Sequence, residues 1–324
     1  MRLDFFGDTV LDKPYHLDFF VEHFVLNLET PLSCEGKPAL HKVNICQEGS
    51  HIEATFRSRP LAVSLANNHV MDYGEEAFAK TRAILEEASI PYFGAGRTGD
   101  NFNNPVVIEF AGKTIGLLGY SCPSTTPTFG DDMHSGSAFL SLENVIKDIE
   151  AIKTKVDFVI VQPHWGIQEI PFPTYQDRKL AHKLIDYGAD LIVGHHAHVI
   201  QSREIYKGKH IFYGIGNFIF PDLAVPRNHN GIEFTSMRYK KQEIEHRRSM
   251  VVTLDENLNI DFFTVELNGD TVKSKKFRLP AWLPDSEESF QKRLTWYKRW
   301  IMIKNFSRDP KMPTLDHLKR FLSK

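Results

Sequence analysis

Leu191-Ile192-Val193-Gly194-His195-His196-Ala197-His198 is a short apolar run, the core of a buried strand, that breaks at a glycine into three imidazoles. Four other runs end in the same way. Leu3 to Phe6 ends in Gly7-Asp8, Phe24 to Leu28 in Glu29, Leu61 to Leu65 in Asn67-Asn68-His69, and Phe158 to Val161 in His164. Between them lie segments of helical period. Ser141 to Lys155 repeats Val145, Ile146, Ile149 and Ile152 behind a capping serine, and Thr174 to Tyr187 places Leu180, Ala181, Leu184 and Ile185 on one face before Gly188. Strands alternating with helices read as α/β, and in such sheets ligands bind outside the carboxyl ends of the strands. The polar groups after five strands are therefore expected at one place. Val106–Phe110 with Thr114–Tyr120, and Val251–Leu254 with Ile260–Val265, read as hairpins, so the sheets are expected to be mixed.

The 324 residues are 42% hydrophobic and 25% charged, which fits a globular chain long enough to bury a sizeable core. Net charge is −2, so no global basic field points to nucleic acid. The charge is unevenly distributed: residues 1–270 carry −11 and residues 271–324 carry +9. This predicts a main domain over 1–270 and a basic C-terminal extension over 271–324. A helix is expected over Phe290–Phe306, its Leu294, Trp296, Tyr297, Trp300, Ile301 and Ile303 set among lysines and arginines, with its aromatic stripe packed on the main domain or docked on a partner or anionic surface.

Cys34, Cys46 and Cys122 are too few for a disulfide framework and are expected to be buried thiols. No stretch approaches the roughly 20 apolar residues that span a bilayer. The default location is the cytoplasm, at most peripheral to a membrane. Gly94-Ala95-Gly96 lacks the rest of any nucleotide-binding fingerprint and is expected to be a turn. Lys240, Lys241, Arg247 and Arg248 border a polar insertion expected to be a loop.

Asp8, Glu29, Asn68, His69, His164, His196 and His198 combine carboxylate, amide oxygen and imidazole, a set suited to Zn²⁺, Mn²⁺ or Fe²⁺. No cysteine belongs to it. His196 and His198, two apart, point to one side if their segment is extended.

These residues resemble the CapA-like capsule-synthesis (poly-γ-glutamate biosynthesis) proteins, a branch of the calcineurin-like metallophosphatase superfamily. The resemblance runs through Phe6-Gly7-Asp8, Asn27-Leu28-Glu29-Thr30-Pro31, Ala66-Asn67-Asn68-His69 with Asp72-Tyr73-Gly74, Gly94-Ala95-Gly96, His164-Trp165-Gly166 with Glu169, Gly194 to His198, and Gly214-Ile215-Gly216-Asn217-Phe218, covering about residues 3–265. It implies a four-layer α/β/β/α sandwich with mixed sheets and a centre of two divalent metals, to which the basic helical tail is added. By that resemblance Asp8 and His198 hold the first metal, Glu29 bridges, and Asn68, His164 and His196 hold the second. His69 assists the leaving group and Asp72 orients it. Asn27, Asn67, Glu169, His195 and Asn217 would contact substrate or support the ligands, with His41 a further substrate contact. One position departs: where the superfamily has D-x-H, this chain has Asp8-Thr9-Val10, and valine cannot ligate.

Two cations about 3.5–4 Å apart can clamp a phosphoryl group and make hydroxide available near neutral pH. The expected function is a metal-dependent hydrolase of phosphomonoesters or phosphodiesters linked to a capsule or cell-surface polymer, with a phosphorylated or anionic polymer or small molecule as substrate and the capsule-synthesis machinery as a partner for the tail. Two readings stand beside it: a non-hydrolytic accessory subunit of a polymer synthase, and a metal-dependent amide hydrolase acting on a glutamyl polymer.

Overall fold

The computed structural model describes residues 1–40, 42–98, 105–229 and 234–308. In chain order its strands are β1 (Arg2–Thr9), β2 (His16–Leu17), β3 (His23–Leu28), β4 (Ala62–Ser64), β5 (Tyr92–Phe93), β6 (Ala95–Gly96), β7 (Val106–Phe110), β8 (Lys113–Ser121), β9 (Gly136–Ser137), β10 (Phe158–His164), β11 (Leu191–Val193), β12 (Arg203–Tyr206), β13 (Lys209–Phe212), β14 (Asn217–Ile219), β15 (Leu223–His229), β16 (Phe234–Lys240), β17 (Arg248–Asp255), β18 (Ile260–Asn268) and β19 (Thr271–Ser274). The helices are α1 (Ile52–Phe56), α2 (Gly74–Glu87), α3 (Leu142–Ile152), α4 (Tyr175–Tyr187) and α5 (Glu287–Arg308).

Two mixed sheets carry the site. The first runs β2-β19-β18-β17-β1-β3-β4-β5, with β14 also pairing with β1; the second runs β12-β13-β11-β10-β8-β7. Within them β1, β3, β4 and β5 are mutually parallel, as are β8, β10, β11 and β13. Both expected hairpins form, β7 with β8 and β17 with β18.

Side-chain alternation along each strand builds the layers. Leu3 and Phe5 of β1, Val25 of β3, and Val252 and Leu254 of β17 meet Ile160 of β10, Leu191 and Val193 of β11, and Phe212 of β13 in one core between the sheets. The opposite parity of the first sheet, Phe6, Leu26, Leu28 and Val251, packs with Ile52 and Phe56 of α1 and Phe78 and Leu85 of α2. The opposite parity of the second, Val159, Val161 and Ile192, packs with Val145 and Ile149 of α3 and Leu184 and Ile185 of α4. The order is therefore α/β/β/α, as expected. Strands buried on both faces explain the near-continuous apolar runs of the sequence. Ser141 caps α3 by accepting from Asn144 N–H at 3.1 Å, and Gly188 ends α4 with φ 120°.

Five expectations change. The first compact unit runs from Met1 to Leu283, beyond the charge boundary at 270, because Thr271–Ser274 pairs with both β18 and β2. The second unit begins at Pro284; its helix α5 leaves Trp296 and Trp300 exposed. Gly94 is a positive-φ turn, but Ala95–Gly96 pairs with β9 as a short strand. The polar insertion is an antiparallel ribbon, β15 with β16, in register from Leu223 opposite Lys240. Cys34 and Cys46 are joined in a disulfide while Cys122 is free. Such crosslinks persist in oxidising surroundings, so the cytoplasmic expectation loses its basis. The fifth change concerns the segment around His196 and belongs to the site. Among the described residues no helix is long and apolar enough to cross a membrane.

Candidate metal centre

Asp8 at the end of β1 stands opposite Asn27 of β3 and Asn217 of β14, and His164 at the end of β10 bridges to His195. The carboxyl ends of both sheets thus meet over one small volume. Gly7 and Gly194 permit the close approach: a Cβ on Gly7 would lie 1.9 Å from Gly216 O, and one on Gly194 would lie 2.0 Å from Tyr213 O.

Two triads result. Glu29, His164 and His196 form one, and Asp8, Glu29 and His198 the other, every member buried and Glu29 common to both. In the first, His164 Nε2 lies 2.8 Å from Asn68 Oδ1, 3.1 Å from His196 Nδ1 and 3.6 Å from Glu29 Oε1. In the second, Asp8 Oδ2 is 3.2 Å from His198 Nδ1, and His198 Nε2 is 3.7 Å from Glu29 Oε1. These separations resemble the edges of a tetrahedral site whose ligands sit about 2.0–2.2 Å from the ion.

Glu29 Oε1 is buried and lacks a hydrogen-bond donor while facing both His164 and His198. A buried carboxylate oxygen left in this way is costly unless a cation meets it. The donor set therefore fits divalent metal. Val10 is buried and offers no ligand atom, so the departure from D-x-H stands.

Charge distribution agrees. Burial opposes ionisation of Asp8, but hydrogen bonds from His195 and His198 outweigh it and hold its carboxyl well below the usual range. Burial, reinforced by the charge of Asp8, pushes Glu29 well above the usual range. Burial and the neighbouring His196 drive His164 well below the ordinary imidazole value. Burial, with the neighbouring His198, takes His196 down to about 3. Neutral imidazoles are the form that ligates.

His196 and His198 do not leave an extended segment. Their φ values are 87° and 57°, left-handed backbone that costs non-glycine residues about 1–3 kcal/mol. The turn is fixed by Asp8 Oδ2 accepting from His196 N–H at 3.2 Å and by Ala197 O accepting from Glu169 N–H at 2.8 Å. Both rings reach the site through the turn instead of through strand parity.

The supporting residues have definite contacts. Asn27 Nδ2 donates to Asp8 Oδ1 at 2.9 Å and Glu29 Oε2 at 3.0 Å, holding the two carboxylates apart. Asn67 donates to Leu28 O and accepts from His69 N–H, tying the Asn68-His69 turn to β3. Asn217 Oδ1 lies 2.9 Å from His198 Nδ1, which fixes that ring with Nε2 toward Glu29. His195 lies 3.3 Å from both Asp8 Oδ1 and Gln162 Oε1. His69 Nδ1 lies 2.7 Å from Asp72 Oδ2, and burial lowers the pKa of His69 against the opposing pull of Asp72. Glu169 alone is not brought in: its exposed carboxylate sits 3.8 Å from His246 Nε2. His41 lies outside the described residues.

A family model described as bacterial capsule synthesis protein PGA_cap matches residues 22–222. The chain belongs to this family. It is 31% identical over 202 residues to the capsule biosynthesis protein CapA of Bacillus anthracis, covering 60% of this chain and 49% of that protein. It is 35% identical over 197 residues to the PGA biosynthesis protein CapA of Bacillus subtilis (strain 168), covering 60% and 52%. The chain thus spans about half the length of the curated relatives it matches. Among solved structures, the 5'-nucleotidase precursor of Thermus thermophilus aligns at 19% identity and a TM-score of 0.39, covering 78% of this chain and 45% of that one, and carries no weight in the assignment below.

The PGA_cap match ends at residue 222, and residues beyond it or between its motifs were missed from sequence. Lys42 touches Asp72 Oδ1 and Asn68 O, Gln162 meets His195, and the His246 carbonyl accepts from Asn217 at 3.0 Å. Each is a single polar residue in a segment without a periodic signal, so its proximity is a product of topology alone.

A cavity of about 450 Å³ opens on the centre, lined by Asn68, His69, His196 and His198 with Lys42 and Lys240.

Proposed function

We propose that this chain is a metal-dependent hydrolase of phosphoric monoesters or diesters, acting on an anionic substrate connected with capsule or cell-surface polymer synthesis. The observation that carries it is the unsatisfied Glu29 Oε1 shared by two buried carboxylate–imidazole triads at the base of a cavity.

Asp8, Glu29 and His198 would hold one divalent cation, and Glu29, Asn68, His164 and His196 a second. Bound there, the cations would supply Lewis-acid polarisation of the phosphoryl group and lower the pKa of water toward neutrality. The chain's own residues do the rest. Asp72 holds His69 through Nδ1, which leaves Nε2 as the nitrogen available to the cavity, and stabilises the imidazolium from which Nε2 gives its proton to the leaving oxygen. Asn27 separates Asp8 from Glu29, and Asn217 orients His198.

The test is metal analysis of the purified protein with assays on p-nitrophenyl phosphate and bis(p-nitrophenyl) phosphate. His69→Ala is expected to keep its metal and lose about 10² to 10⁴ in kcat, the usual worth of a general acid. Metal bound at wild-type stoichiometry with neither ester cleaved would overturn the phosphoester reading and turn the search to amide bonds of a glutamyl polymer.

A further inference from the structure

Asp72 is fully buried, and the groups that hold it come from an unexpected place. Its Oδ2 meets His69 Nδ1 and accepts from the backbone N–H of Ile45, each at 2.7 Å. Its Oδ1 faces the ammonium of Lys42, which also touches the carbonyl of Asn68. Lys42 and Ile45 both lie between Cys34 and Cys46, in a stretch where residues 42–46 have no helix or strand of their own.

Chain without a hydrogen-bonded ladder samples many conformations and on its own would hold a buried carboxylate poorly. Here it is tethered. The disulfide closes a loop of sequence separation 12, which removes conformational freedom from the segment. Asn44 adds an internal tie, its Nδ2 donating to Ala39 O at 2.8 Å, and the Ala39 N–H donates to Asp72 O at 2.8 Å. The crosslinked loop therefore grips Asp72 by its main chain and by both carboxylate oxygens.

We infer that Lys42 and the Ile45 amide, held by the Cys34–Cys46 crosslink, position Asp72 and through it the His69 ring. Lys42 is a positioning residue here: its ammonium is already engaged by Asp72 and Asn68 and is 19% exposed, although the residue borders the cavity. The functional consequence rests on the reading of His69 as the group that protonates the leaving oxygen.

The experiment compares wild type, Lys42→Met, Lys42→Arg, and the double variant Cys34→Ser/Cys46→Ser, all zinc-loaded and labelled with ¹⁵N-histidine. Long-range ¹H–¹⁵N correlation reads the tautomer of each ring without requiring turnover, and His69 is assigned by its absence in His69→Gln. Wild type is expected to show His69 fixed with the proton on Nδ1. Lys42→Met and the cysteine variant are expected to lose that single tautomer, and Lys42→Arg to keep it. In parallel, kcat is expected to fall roughly 10- to 100-fold, the range typical when the partner that orients a site histidine is lost. The loss should be greater for phenyl phosphate than for p-nitrophenyl phosphate, because the poorer leaving group depends more on the proton, while KM and metal content hold. If the cysteine variant does not fold, Lys42→Met, which keeps the crosslink, decides. An unchanged His69 signal in Lys42→Met overturns the inference, as does a raised KM with intact kcat, which would make Lys42 a substrate contact. Failure of wild type to cleave either ester refutes the proposed function, whereas the tautomer still decides the positioning.

Discussion

The two sheets make unequal contributions to the same centre. The first brings oxygen: Asp8 from β1, Glu29 after β3 and Asn68 after β4. The second brings nitrogen: His164 from β10 and His195, His196 and His198 after β11. The oxygen half is anionic and spaced by the neutral amide of Asn27, while burial keeps the rings of His164 and His196 neutral. Neither half completes a triad without the other, so metal at this position joins the layers as well as serving the chemistry.

Glu29→Gln should break that arrangement most severely. It keeps the shape of the side chain but removes the one charge common to both triads, so metal should be lost from both positions and turnover should fall on the order of 10³-fold, several kcal/mol of charge stabilisation. Metal analysis beside phosphatase assays checks this. Retention of wild-type stoichiometry would show that Glu29 is not shared.

Removal of metal by a chelator tests the coupling of the layers directly. A ligand present at 100 times its dissociation constant stabilises the folded state by about 2.7 kcal/mol. Thermal melts with and without chelator should therefore separate by several degrees. Asp8→Asn should shrink the gap, since that variant binds metal weakly from the outset. Equal melting temperatures with and without metal would show that the two sheets are held by their apolar core alone.

The unequal halves also explain what was legible in the sequence. Strands buried on both faces appear as apolar runs, so the five carboxyl ends, and with them Asp8, Glu29, Asn68, His164, His196 and His198, stand out in the chain. The backbone that aims them does not. His196 and His198 read as an extended pair because period two is the simplest geometry for H-x-H, whereas tertiary contacts to Asp8 and Glu169 hold a left-handed turn. Lys42 leaves no periodic or motif signal, since it is one lysine in an irregular loop. The disulfide was missed for a related reason: with three cysteines, pairing is decided by spatial proximity, and Cys34 and Cys46 are brought to a Cα separation of 5.3 Å by a loop with no pattern of its own. The charge boundary at 270 misplaced the end of the compact unit because an edge strand such as β19 tolerates exposed lysines and does not look like core.

Two buried aspartates sharpen the comparison at smaller scale. Asp8, between the sheets, is held ionised by His195 and His198. Asp177, in the first turn of α4 on the outer face of the second sheet, has only Thr174, whose hydroxyl donates to Oδ2 at 2.6 Å and accepts from the Asp177 N–H at 3.0 Å. Burial therefore prevails and raises Asp177 to about 6. An unfolded aspartate titrates near 3.9, so between about pH 4 and 6 the folded state holds the extra proton. The stability this confers is present at low pH and is lost as pH rises through 6, amounting to about 2–3 kcal/mol. Asp177→Asn keeps an acceptor for the Thr174 hydroxyl and carries no charge to bury. Relative to wild type, it should gain about that much stability between pH 4.5 and pH 7.5 in urea denaturation, with metal content unchanged. A difference between the two proteins that stays constant across this range would mean that Asp177 is solvated, and that burial without a cation does not separate it from Asp8.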